Sequence, residues 1–139
     1  MIKKLFIFCC LLLMTCSFPS FAAERNFTNT VTIEPKASYV FNSVSAAVSP
    51  SAYGGDCALM SKGSGTLTIY LQKYASASNS WITVSNTTSS KSFSNTSICA
   101  HSKSKILSKG KYRAKTYVKA TVGSHTDSRT VYSGTLTIN

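Results

Sequence analysis

Two histidines, four carboxylates and five cysteines are all that this 139-residue chain offers for acid–base, nucleophilic or metal chemistry. His101 and His125 lie in polar sequence, with Asp127 two residues beyond His125. No G-x-S-x-G or H-E-x-x-H surrounds them, so nothing brings a nucleophile, a base and an orienting carboxylate together. The expectation is a non-enzymatic protein without a cofactor. Cys99-Ala100-His101 with Cys57 makes two soft ligands and a lone imidazole, short of a zinc set. The denser chemistry is cationic. Lys103, Lys105, Lys109, Lys111, Arg113, Lys115 and Lys119 fall within 17 residues, and no acidic residue occurs between Asp56 and Asp127. Such clustering is an electrostatic footprint for a polyanion.

Those cations need an element that displays them together. From Lys111 to Lys119 a strand would send Tyr112, Ala114, Thr116 and Val118 to one face, and Lys111, Arg113, Lys115, Tyr117 and Lys119 to the other. Charges would then repeat about every 6.6 to 7 Å along one side. If the strand with Leu67, Ile69 and Leu71 inward is its neighbour, Thr68, Tyr70 and Gln72 share the outer face. Tyrosines beside lysines and an arginine form a flat surface suited to stacking sugar rings and pairing anions. The competing reading is that exposed lysines keep a strand soluble without any ligand.

The remaining chain reads as strands. Val31 and Ile33, then Val44, Ala46 and Val48, then Leu67, Ile69 and Leu71 alternate with mostly polar residues, and no helical stripe occurs. Later candidates are Trp81 to Ser85, Thr96 to Ala100, Lys111 to Val122 and Ser128 to Ile138. Turn chemistry divides them at Ser49-Pro50 through Gly54-Gly55, Gly63-Ser64-Gly65, Ser76 to Ser80, Ser108-Lys109-Gly110 and Gly123-Ser124-His125. About seven strands at this spacing predict a single all-β domain, a two-sheet sandwich.

Ahead of it, Lys3 and Lys4, an apolar run from Leu5 to Met14 and the exit Ser20-Phe21-Ala22-Ala23 read as an export signal, residues 1–22 or 1–23. The mature domain then spans 23–139. The apolar run is too short to cross a membrane, where ~20 residues are needed. Of 15 basic side chains, loss of Lys3 and Lys4 leaves 13 against 4 acidic, a net charge of +9. Cys57 and Cys99 remain, an even pair in an oxidising compartment, and are expected to form a disulfide worth roughly 4 kcal/mol.

Leu107-Ser108-Lys109-Gly110-Lys111-Tyr112-Arg113-Ala114 resembles the L-x-x-G-x-Y run opening strand F of fibronectin type III and related immunoglobulin-like domains. The resemblance implies that Tyr112 is a tyrosine corner, its ring in the core and its hydroxyl bonded to backbone upstream. It also aligns Gly65 to Tyr74 with strand C, Trp81 to Val84 with C′ and Gly134 to Ile138 with G. Cys57, Trp81 and Cys99 do not have the antibody-domain spacing; with Cys57 on or just before strand B and Cys99 on strand E, as the resemblance would place them, the bridge would join neighbours within one sheet. Ile69-Tyr70-Leu71-Gln72-Lys73, Ser80-Trp81 and Gly110-Lys111-Tyr112-Arg113 are further similar to small secreted proteins of unknown function from Gram-positive bacteria. That likeness implies a bacterial exported protein, extracellular at the cell wall or released, and no activity, while the net charge would keep it monomeric. Teichoic acids and anionic cell-wall or host glycans are then the expected partners, without specific nucleic-acid recognition. A secreted, bacteriocin-like membrane effector is the alternative, although no surface-active helix is legible.

Overall fold

The computed structural model describes Val31–Thr32 and residues 38–139; the export signal lies outside the described residues. Among the described residues eight strands follow one another: β1 (Val31–Thr32), β2 (Phe41–Val48), β3 (Ala52–Ala75), β4 (Ser80–Thr83), β5 (Ser89–Ser104), β6 (Gly110–Val122), β7 (His125–Tyr132) and β8 (Leu136–Ile138). All pairings are antiparallel. The all-β class expected from period-two alternation is therefore what the chain adopts.

Antiparallel pairing links the described strands together, an all-β arrangement consistent with a β-sandwich. One continuous sheet curls over itself, and β3, 24 residues long, runs through the whole of it. The first part of β3 pairs β2 from Tyr53 to Leu59, and the later part pairs β6 from Ser64 to Lys73. On its other side β3 carries β5 up to Ile69 and then β4 from Gln72. Register shifts between Ala58 and Gly65 mark the bend. β5 turns with it, because Ser89 Oγ lies 2.8 Å from His101 Nε2 and Lys91 Nζ donates to Ala100 O at 3.0 Å, although these partners sit far apart along the strand. Asn95, in the left-handed region at φ 53°, accompanies that turn. Asparagine tolerates this conformation better than most residues.

Glycine explains why the expected breaks at Gly54-Gly55 and Gly63-Ser64-Gly65 are absent. A Cβ on Gly55 would stand 2.1 Å from Thr116 Oγ1 and 2.5 Å from Ser45 O, and one on Gly65 would stand 2.3 Å from Lys119 O. Both glycines permit close approach inside the curl instead of ending a strand. True turns fall at Ser49 to Ala52, Ser76 to Asn79 and Gly123, the last with φ 60°.

The core fills the inside of the curl. Val44, Ala46 and Val48 of β2, Tyr53, Cys57, Leu59, Leu67, Ile69 and Leu71 of β3, and Tyr112, Ala114, Val118 and Ala120 of β6 are all buried, with Val131 from β7. Apolar burial of this kind contributes about 25 cal/mol per Å². Contacts of Ser38 Oγ with Asp127 Oδ2 (3.0 Å) and of the Tyr39 ring with His125 (5.1 Å between centroids) draw the entry to β2 against β7.

Cys57 and Cys99 are directly opposed on β3 and β5, neighbours in one sheet as expected. They are free buried thiols, and this corrects the expected disulfide. The sheet ladder and the surrounding core hold the two strands together at this point without a covalent link. Burial, reinforced by the neighbouring Cys99, pushes the Cys57 thiol up to about 12, so the protonated form is the stable one there.

Candidate polyanion-binding face

β6 sorts its side chains as the alternation requires. Tyr112, Ala114, Thr116, Val118 and Ala120 are buried, Lys111 and Lys119 are exposed, and Arg113, Lys115 and Tyr117 are half-buried on the outer side. Cross-strand register sets their neighbours: Thr68 opposite Tyr117, Tyr70 opposite Lys115 and Gln72 opposite Arg113. On the other flank, β7 places Tyr132 opposite Lys115 and Thr130 opposite Tyr117. Every residue expected on the face from β3 and β6 is thus brought to it. The described carboxylates lie elsewhere: Asp56 accepts a 2.6 Å bond from Ser45 Oγ on β2, and Asp127 is engaged by Arg129 (2.9 Å) and Ser38.

The cations do not form a ladder of equivalent free charges. Arg113 Nε donates to Gln72 Oε1 at 2.8 Å, and Gln72 is buried at 9% exposure. The guanidinium carbon lies 4.5 Å from the Trp81 ring centroid and 4.2 Å from that of Tyr132. These rings come from β4 and β7, on either side of the β3–β6 pair, so Arg113 is held between them. Partial burial lowers the guanidinium pKa from its ordinary value, with Tyr132 acting in the opposite direction. Lys115 Nζ stands 5.0 Å from the Tyr70 ring centroid. Such cation–π contacts contribute ~0.5–1 kcal/mol at exposed sites and more when desolvated. Tyr74 completes the row, meeting Trp81 edge-on at 5.4 Å and donating its hydroxyl to Asn79 Oδ1.

Trp81 and Tyr132 were absent from the sequence-derived site. Their outward parity was readable, but their approach to Arg113 depends on β4 and β7 flanking the central pair, which is a matter of topology. Of the cationic run, only Lys111, Arg113, Lys115 and Lys119 belong to this outer face. Lys103 lies one residue before the end of β5, and Lys105 is tied beside the β2–β3 turn by its backbone bond to Ser51 O (2.8 Å).

Tyr112 has its ring in the core, but its hydroxyl lies 3.2 Å from Ser108 Oγ, a side-chain partner in place of the backbone one expected of a tyrosine corner. That bond lowers its pKa, outweighing the opposing effect of burial, with Lys73 adding to the lowering. A second buried tyrosine was not anticipated. Tyr53 donates to Thr87 O, and Thr87 is itself buried, donating to Val84 O at 2.6 Å.

His101 faces Ser89 with Lys91 and Lys103 nearby; burial first, then these cations, lower its pKa and favour neutral imidazole. Among the described residues no cluster of three or more His, Cys, Asp or Glu could hold a metal ion, and no helix is long and apolar enough to cross a membrane. Compared with protein-family models, curated proteins and solved structures, the chain matches none.

Proposed function

We propose that this protein is an exported, non-enzymatic binding module that attaches to anionic polymers, teichoic acid or acidic glycan, through the outer face of β3 and β6. One observation carries the reading: Lys111, Arg113, Lys115 and Lys119 share a face with Tyr70, Tyr117, Trp81 and Tyr132, and both described carboxylates are engaged elsewhere. Lysines at the ends and middle of the row supply long-range attraction. The aromatic rings supply flat apolar area against which sugar rings can lie.

Lys111 and Lys119 are the residues to change, because both are exposed and neither participates in the Arg113 clamp. Lys111→Glu with Lys119→Glu is expected to weaken binding to polygalacturonate or poly(glycerol phosphate) by at least about tenfold, with little change in thermal midpoint. Raising salt from 0.15 M to 1 M shrinks the screening length from about 8 to about 3 Å and is expected to abolish most of the parent's binding. Salt-independent binding, or equal affinity of parent and double variant, removes the proposal. Preference for anionic vesicles over both polymers would instead favour a membrane target.

A further inference from the structure

Arg113 is built differently from the lysines around it. Its Nε–H is committed to Gln72 Oε1, and its guanidinium carbon lies over the rings of Trp81 (4.5 Å to the centroid) and Tyr132 (4.2 Å). Among the described residues the hydrogen bond of the Arg113 side chain is the one from Nε to Gln72, and no side-chain nitrogen or oxygen there is both buried and unpartnered. The Nη edge therefore reaches solvent. A guanidinium is weakly hydrated on its faces and donates in its plane, so ring contacts orient it without consuming the remaining donors. With Nε occupied, the open approach is end-on, across Nη1 and Nη2. A side chain whose rotamers are already restricted loses less freedom on binding than a free lysine does.

We propose that Arg113 is an end-on oxyanion receptor. Its two Nη groups take both oxygens of one carboxylate, sulfate or phosphate group of the polymer, while Trp81, Tyr132 and Gln72 act as positioning residues. This rests on the polyanion reading of the face and adds a defined contact to it. Lys115, next along the face, neutralises the same segment without geometric selection.

Trp81 is the chain's single tryptophan and touches Arg113, so its fluorescence reports this site alone. The full chain would be titrated with polygalacturonate, poly(glycerol phosphate) and dextran sulfate, with neutral dextran as control, while Trp81 emission and the Arg113 Nε–H NMR resonance are followed. A saturable change in both signals with the charged polymers, and none with dextran, is expected. The strongest of the three arms identifies the oxyanion. Arg113→Lys keeps the charge but removes the fork, and is expected to lose about tenfold in affinity at nearly unchanged salt dependence. Lys111→Glu with Lys119→Glu should alter salt dependence yet still reach the full Trp81 change at saturation. If Arg113→Lys binds as tightly as the parent while the lysine variant is weakened, the receptor is refuted and the cationic face stands. If neither variant is weakened, the face itself is refuted. The NMR titration of the unsubstituted chain covers a fold disturbed by Arg113→Lys: polymer binding that leaves the Arg113 Nε–H resonance unmoved overturns the receptor.

Discussion

At the level of single residues, the buried polar groups are held by specific partners whose loss is measurable. Tyr53 is 2% exposed and its hydroxyl satisfies the Thr87 carbonyl. Tyr53→Phe keeps the ring and strands that carbonyl, so a loss of about 1–3 kcal/mol is expected in urea unfolding. The thiols give a pH-dependent test. Cys57 is raised from its ordinary 9.0 to about 12 in the fold, so the unfolded chain releases this proton at lower pH than the native one. Its contribution to stability is complete below about pH 9 and declines from there toward pH 12, by at most about 1.4 kcal/mol per pH unit. Cys57→Ala should remove that part of the alkaline slope. Consistently, native protein at pH 8 should be alkylated slowly by iodoacetamide, while urea should release two reactive thiols from the described domain; a urea-unfolded chain lacking them would restore the disulfide.

At the level of elements, glycines report where strands approach one another most closely. Gly55→Ala would force a methyl into Thr116 and the Ser45 carbonyl, on strands that cannot both retreat, and is expected to cost more than about 2 kcal/mol or prevent folding. Gly123→Ala meets no atom within 4 Å but sits at φ 60°, so only about 1–2 kcal/mol of conformational cost is expected. Thermal unfolding of the two variants should separate these effects. The same contrast explains what could be read beforehand. β6 was legible from residues 111 to 122 because a strand with one face in the core repeats every second residue. The Gly54-Gly55 and Gly63-Ser64-Gly65 signals were misread because glycine marks both turns and close packing, and only the facing strand distinguishes them. Lys111, Arg113, Lys115 and Lys119 shared a face by local geometry alone. The rings that hold Arg113 arise from pairings between distant segments that carry no local signal.

Across the whole molecule, the curl leaves β5 as an outer strand. It pairs with β3 on one side, and among the described strands none pairs with its other side. Ile98 is 68% exposed on it, a combination that invites another chain to add on. Two features oppose this. Lys91 covers the Ala100 carbonyl with its ammonium group, and Lys103 places a second exposed charge near the end of the same strand. Net positive charge adds repulsion between copies, screened as salt rises. Lys91→Thr with Lys103→Thr preserves a strand-favouring residue at each position while removing both guards. The double variant is expected to show a larger hydrodynamic size than the parent at equal concentration, and the difference should grow with time under conditions that leave the parent unchanged. Because neither residue lies on the outer face of β6, polymer binding per folded chain should persist. Equal sizes for variant and parent would mean that the bend of β5 protects its edge without the lysines. Lost polymer binding would mean that the attraction is spread over the whole cationic surface instead of residing on one face.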